Sequence, residues 1–328
     1  MPVSYQPLKS RPLRTYWKSL ERCNEINLAH ASKKIQECVD LGECGRRKIA
    51  IVATGSDGRK EKGSGSLVEP VIIHDSAPDK ALRYVEESLR CVRLWEQTPL
   101  SLAAGVECKD LGNAKTVFSF AYGRKGLVFP QRLLDTQLLY GSVELLRKAK
   151  ARMASEWLGQ RWKTIRDPLA DIKRHYRKSA LSGQQHWKGH CVVNYDFACA
   201  QTYYFDDPAS GAMVRGFKNG PLRYVQVGLV LGLARWVSCH PAHAEKIASE
   251  WPSSTFERLE FMADAKMNKP PRTVLDELAE HYLYFLKRYH DGARAASQGH
   301  PALPFDAGEV RDRIRSLDRV LQEGMFKS

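Results

Sequence analysis

The residues best suited to chemistry lie between Lys48 and Asp75, in the stretch KIAIVATGSDGRKEKGSGSLVEPVIIHD. An apolar run, Ile49 to Ala53, stops at Thr54-Gly55-Ser56, and a basic, glycine-rich turn follows. A second run starts with a carboxylate, Glu69, and continues Pro70-Val71-Ile72-Ile73. This is one way to hold a nucleotide. Gly55 has no Cβ, so the backbone amides around Gly55 and Ser56 can approach a triphosphate closely. Arg59 can neutralise phosphate oxygens or anchor the turn through Glu61, and Lys48, Lys60 and Lys62 make the region positive. Glu69, at the head of the second run, can hold Mg²⁺ or Mn²⁺ against the same phosphates. Glu107 and Asp110 are candidates for a further metal-binding carboxylate, and Asp57 and Asp75, near the same loops, could substitute. His186, His190 and Cys191 are the other metal-like grouping, but Trp187-Lys188-Gly189 between them reads as a loop.

The pattern Gly55-Ser56-Asp57-Gly58-Arg59-Lys60-Glu61, then Ser66-Leu67-Val68-Glu69, resembles the signature of the nucleotidyltransferase superfamily. It is most similar to that of the protein-PII uridylyltransferases and their bacterial relatives. Gly55, Gly58, Arg59, Glu61 and Ser66 fall on that family's own residues without a gap. The family's paired metal-binding aspartates stand here as Leu67 and Glu69. Two later segments carry the same resemblance. In RLLDTQLLYGSVELLRKAK, Leu133, Asp135 and Gly141 take matching positions, with Gln137 where the family has an arginine. In Phe217 to Gln226, Lys218, Gly220, Pro221, Leu222, Arg223 and Gln226 correspond once a glycine pair is deleted, and Tyr224 replaces an aspartate.

The resemblance implies an α+β fold with a small mixed-sheet core. It also implies transfer of a nucleoside monophosphate from a nucleoside triphosphate to a protein or small-molecule acceptor, with Mg²⁺ or Mn²⁺ as cofactor. Glu69 becomes the catalytic and metal-binding carboxylate, and Gly55, Ser56, Arg59, Ser66, Lys218 and Arg223 the nucleotide-binding set. Leu67 cannot ligate a metal. A second reading therefore stands beside the first: a catalytically degenerate protein of this fold that binds a nucleotide or a partner protein as a regulatory module.

Positioning these residues requires a strand on each side of the turn and helices to cover both. Residues 1 to about 15 read as an extended arm. Trp17, Leu20, Cys23, Ile26, Ala29, Ile35 and Val39 recur at helical spacing, so Tyr16 to Leu41 reads as a helix or two, closed by Gly42, Gly45 and Arg46-Arg47. After Asp75, a proline in the opening turn and the stripe Leu82, Val85, Leu89, Val92, Trp95 predict a helix. Leu100 to Val106 and Thr116 to Tyr122 read as strands, separated by a polar turn at Asp110 to Asn113, giving a sheet of about four strands. From Pro130 onward the spacing predicts helices over 131–160, 166–182, 221–238, 241–250, 253–267, 270–291 and 307–325. The domain division is then an N-terminal arm and helices at 1–45, a core at 46–128 and a helical substrate- or partner-binding region at 129–328.

Composition bounds the remaining classes. With 43% hydrophobic and 27% charged residues, the chain has the make-up of an ordinary globular protein rather than a disordered one. No apolar run is long enough to span a membrane, and the N-terminal residues carry no apolar signal-peptide core. The cysteines are scattered without a CxxC pair and read as reduced thiols of a cytoplasmic protein. A net charge of +14 favours an anionic partner, yet no zinc-finger spacing or RNP-type motif points to nucleic acid.

Overall fold

The turn between the two apolar runs follows the first of two strands of a small sheet, both buried along their whole length. The computed structural model describes residues 11–63, 68, 70–91, 93–95, 98–99, 107–110, 133–153, 217, 221–264, 272–298 and 306–323. In chain order these form α1 (Arg11–Cys38), α2 (Gly42–Lys48), β1 (Ile49–Ala53), a single helical turn α3 (Gly55–Gly58), β2 (Pro70–His74) and α4 (Asp79–Cys91). There follow β3 (Arg93–Trp95), β4 (Thr98–Pro99), β5 (Glu107–Asp110), β6 (Gln137–Gly141), α5 (Val143–Met153) and α6 (Arg223–Cys239). A 3₁₀ turn (Pro241–His243), α7 (Ala244–Glu250), α8 (Thr255–Asp264), α9 (Arg272–Ser297) and α10 (Ala307–Leu321) complete the order. The architecture is α+β and mostly helical. Among the described residues no helix is long and apolar enough to cross a membrane.

Contacts divide the chain into two compact units. One comprises Lys18–Arg161 and Val237–Arg258, the other Met1–Trp17, Trp162–Trp236 and Leu259–Ser328. The first holds the sheet, in strand order β5-β2-β1-β6. β1 and β2, the two apolar runs, are adjacent strands as expected; they pair antiparallel, with Ile51 opposite Ile72. β5 runs parallel to β2, with Glu107 opposite Val71 and Asp110 opposite His74. The sheet is therefore mixed. Every residue of β1 and β2 is buried. Ile49, Ile51, Ala53, Ile72 and Leu139 pack with Leu28, Ala31 and Ile35 of α1 and Val85 and Leu89 of α4 in one core. Alternate strand residues point to opposite faces, and α5, packed on β1 and β2, accounts for burial on the other.

Five expectations are corrected. The chain is already helical at Arg11, so the extended arm does not reach residue 15, and Gly42 to Lys48 form α2 rather than a terminating loop. α4 stops at Cys91, and Arg93–Trp95 pairs with Thr98–Pro99 instead of continuing the helix; over so few residues apolar spacing does not separate strand from helix. Asp110 ends a strand rather than opening a turn. The long helix over 131–160 is interrupted. Thr136 folds its hydroxyl onto the Leu133 carbonyl at 2.7 Å, and residues 137–141 pair with β1, so the sheet takes a strand from beyond residue 128. Gly141, at φ +95°, sits so close to β1 that a Cβ would lie 2.3 Å from the Ile49 carbonyl oxygen. The strands expected at Leu100–Val106 and Thr116–Tyr122 and the helix at 166–182 lie outside the described residues.

In the second unit, α6 is buried almost all round, through Tyr224, Val225, Val227, Leu229, Val230, Leu231, Leu233 and Ala234. Its Gln226 donates to the Tyr282 hydroxyl of α9 at 2.7 Å. α9 packs against α10, where the Tyr284 ring lies 4.1 Å from the Arg313 guanidinium and its hydroxyl donates to Glu309 at 3.0 Å. The helices expected at 221–238, 241–250, 253–267, 270–291 and 307–325 are thus present, with ends moved by a few residues.

Two glycines of the turn make opposite demands. Gly55 has φ +62° with open space around a would-be Cβ, whereas a Cβ on Gly58 would stand 1.5 Å from the Asp135 carbonyl oxygen. Gly55→Ala should cost about 1 kcal/mol for the left-handed backbone. Gly58→Ala must displace main chain and should cost about 3 kcal/mol or more. Urea unfolding of the two variants checks the order, and equal losses would remove the close approach from the account.

Candidate functional site

The glycine turn is organised by its own backbone and then locked by charge. The Arg59 amide donates to the Gly55 carbonyl at 3.0 Å and the Glu61 amide to the Ser56 carbonyl at 2.8 Å. Lys60 takes a left-handed φ of 59°, uncommon for a lysine, which turns the chain out of the loop. Two residues on, Asn24 of α1 clamps the main chain of Lys62 on both sides. Its amide nitrogen donates to the Lys62 carbonyl at 2.9 Å, and its oxygen accepts from the Lys62 amide at 3.2 Å.

The basic side chains of the turn are engaged by carboxylates. Arg59 is buried, its Nε donating to Glu61 at 2.7 Å and its Nη1 to Asp135. The other Asp135 oxygen accepts from Arg258 Nη2 at 2.6 Å, and Arg258 Nε donates to the Pro252 carbonyl at 2.8 Å. Lys60 bridges Glu25 of α1 and Glu257 of α8, at 3.2 and 3.3 Å. These partners raise its pKa against the opposing effect of burial, the largest single influence. Burial also raises the pKa of Glu21, which faces Lys60, Glu25 and Glu257. Lys62 pairs with the buried Asp57 at 2.8 Å. Of the two roles open to Arg59, the structure gives it the anchoring one: its guanidinium is turned to Glu61 and Asp135.

The remaining candidates divide clearly. Gly55 and Ser56 form the turn, both half-buried. Ser66, Leu67, Glu69 and Lys218 lie outside the described residues, as do His186, His190 and Cys191. Arg223 begins α6 in the other unit and is half-buried. Glu107 and Asp110 are the end residues of β5. Asp75 pairs with Lys148 at 2.7 Å and Asp57 with Lys62 at 2.8 Å. His240 and His243 are exposed around Pro241. Among the described residues no grouping of His, Cys, Asp and Glu is arranged to hold a metal ion.

Sequence reasoning missed two members of this centre. Arg258 sits among Phe256, Leu259 and Met262, all fully or nearly fully buried, and its only sequence signal is a charge within an apolar stripe. Lys150 is buried on α5, its amine 3.5 Å from the Thr136 carbonyl. Burial, and then the Arg258 charge, push its pKa down to about 8 against the attraction of Asp135. Ser253 donates to the same Thr136 carbonyl at 2.6 Å, so residues 135–136 gather α3, α5 and the start of α8 around one short stretch of main chain.

No known protein family matches this chain, and no curated protein is similar to it at a significant level.

Lys150 gives the site a pH signature. Its folded pKa of about 8 lies below the unfolded value of 10.5, so between these two pH values the unfolded chain holds more of the proton. Its contribution therefore makes stability rise with pH across that window, by on the order of 3 kcal/mol in full, and is unfavourable below it. Lys150→Met should stabilise the protein at pH 7 and flatten the rise between pH 8 and 10.5, measured by denaturant unfolding across pH. An unchanged slope would show that the buried amine is not what titrates.

Proposed function

We propose that this chain is a nucleotidyltransferase-fold protein that binds a nucleoside triphosphate without efficient turnover and acts as a regulatory binding module. The observation that carries the reading is the fate of the turn's charges. Arg59, Lys60 and Lys62 each make an ion pair with protein carboxylates. Their charge is directed to holding the turn, and what the turn offers a phosphate is main chain at Gly55 and Ser56. With Leu67 where the family resemblance calls for a metal-binding aspartate, Glu69 alone is a poor anchor for two Mg²⁺ ions, each of which prefers octahedral oxygen ligation.

The resemblance gains support from the meeting of its own residues. Gly58, Arg59, Glu61 and Asp135 were matched in two separate segments, and in the fold they form one contact. A second reading, an active transferase of a nucleoside monophosphate to a protein or small-molecule acceptor, is favoured by one feature. β5 runs parallel beside β2 and begins at Glu107, opposite Val71, two residues after Glu69 in sequence. That is a place from which a further acid could serve a metal bound at the head of β2.

Two assays separate these readings. A nucleoside triphosphate at about a hundred times its dissociation constant stabilises a protein by about 2.7 kcal/mol, so binding should appear as a raised melting temperature that Ser56→Glu abolishes. Nucleotide transfer or triphosphate hydrolysis, with Mg²⁺ or Mn²⁺, should be near background in the wild type and rise at least about tenfold in Leu67→Asp, which needs only about 1.4 kcal/mol. Wild-type turnover that Leu67→Asp does not improve and Glu69→Ala does not reduce would place metal chemistry elsewhere. No shift with any nucleoside triphosphate would end the nucleotide-binding reading.

A further inference from the structure

α8 begins inside the sheet unit at a serine that does not cap it. Ser254 is the residue before the helix, where a serine hydroxyl ordinarily accepts from a first-turn amide. Here Ser254 is wholly buried, and its hydroxyl has no hydrogen-bond partner among the described residues. Arg258, one turn on, folds back over this end of the helix. Its Nε donates to the Pro252 carbonyl at 2.8 Å and its Nη2 to Asp135 at 2.6 Å, while Nη1, on a side chain 0% exposed, is without a hydrogen-bond partner. Lys150 reaches the same place from α5. Its buried amine lies 3.5 Å from the Thr136 carbonyl, which already accepts from Ser253 at 2.6 Å. Buried polar atoms without partners are uncommon and costly. These gather at the N-terminal end of a helix, which itself favours negative charge.

We propose that the start of α8 holds a small inorganic anion, chloride being the simplest, between Arg258 Nη1, the Ser254 hydroxyl and the Lys150 amine. What these groups share is hydrogen to donate. The acceptors beside them are already engaged, both Asp135 oxygens by arginines and the Thr136 carbonyl by Ser253. A water molecule would bring two more hydrogens to a place rich in donors, whereas a halide brings none. Charge points the same way. Arg59, Arg258 and protonated Lys150 stand against two acids, Glu61 and Asp135, which leaves one positive charge over. The Arg258 charge works against protonation of Lys150 and Asp135 works for it, so an anion beside the amine would supply the missing negative charge. All three side chains are almost wholly buried, which excludes a nucleotide or any other large ligand. This inference uses neither Gly55 and Ser56 nor Glu69 and stands apart from the nucleotide reading.

The test is urea unfolding of the full chain at constant ionic strength, with sodium chloride exchanged stepwise for sodium gluconate, whose anion is too large for the site. Above the dissociation constant, each tenfold rise in chloride should add about 1.4 kcal/mol to the unfolding free energy. The gain should shrink as pH rises past the Lys150 pKa of about 8, because the protonated amine holds the anion best. Lys150→Met should raise the chloride concentration needed at least about tenfold and remove that pH dependence. Ser254→Ala should raise it by about threefold or more, with no change in charge. Lys148→Met removes an exposed amine from the same helix and should leave the chloride dependence within about twofold. The proposal is overturned if chloride stabilises no more than gluconate, the result expected of a buried water only. It is equally overturned if the gain does not change with pH, or if Lys148→Met reduces it as much as Lys150→Met.

Discussion

Much of the sheet unit depends on one buried carboxylate. Asp135 is 1% exposed and accepts from Arg59 on one oxygen and Arg258 on the other, joining the glycine turn, the approach to β6 and the start of α8. Such an arrangement is weakly stabilising as a whole, because desolvating the three charges offsets most of their attraction. Removing one member is another matter: it strands a charge in the interior, at about 3–5 kcal/mol. The network therefore acts more as a specifier of geometry than as a source of stability. Gly58 belongs to the same constraint, since the Asp135 carbonyl occupies the space of a side chain there. The arginine and the glycine are needed together. A side chain at 58 would push away the main chain that carries the acid Arg59 must reach.

This constraint explains what could be read from the sequence and what could not. β1 and β2 were legible because Ile49–Ala53 and Pro70–His74 are short apolar runs bounded by turn residues, and both are buried along their whole length. α4 and the later helices were legible from their periodicity. β6 was not. Gln137–Gly141 lies between stretches with helical spacing, and what makes it a strand is its pairing with β1 and the close approach at Gly141. Arg59 had two readings in the sequence because its deciding partner, Asp135, is 76 residues away. Arg258 is 123 residues from Asp135, and its only local signal is a charge within an apolar stripe. Local pattern carries the elements, and pairs far apart in the chain decide what their charged residues do.

A residue that matches a signature can therefore be kept for either of two reasons. In the turn, Gly55 and Ser56 form the tip, where main chain can meet a ligand, while Gly58, Arg59 and Glu61 fix the shape behind it. The second group comes through the structure as a self-consistent contact with Asp135. The buried network punishes loss of Arg59 or Asp135 through folding alone, whatever stands at position 67. Scaffold and chemistry are under separate physical constraints.

The same separation governs the chain's positive charge. Among the described residues, the cations around the turn meet carboxylates: Arg59 and Arg258 share Asp135, Lys62 meets Asp57, and Lys60 meets Glu25 and Glu257. Lys150 differs: its amine lies 3.5 Å from the Thr136 carbonyl, and burial, followed by the Arg258 charge, lowers its pKa. Cations on α2 and α5 answer to no such requirement, since an exposed charge is solvated whether or not it is paired. The chain nonetheless gathers Arg46, Arg47, Lys48, Arg147 and Lys148 on two helices that touch. Folding explains the interior charges through their partners.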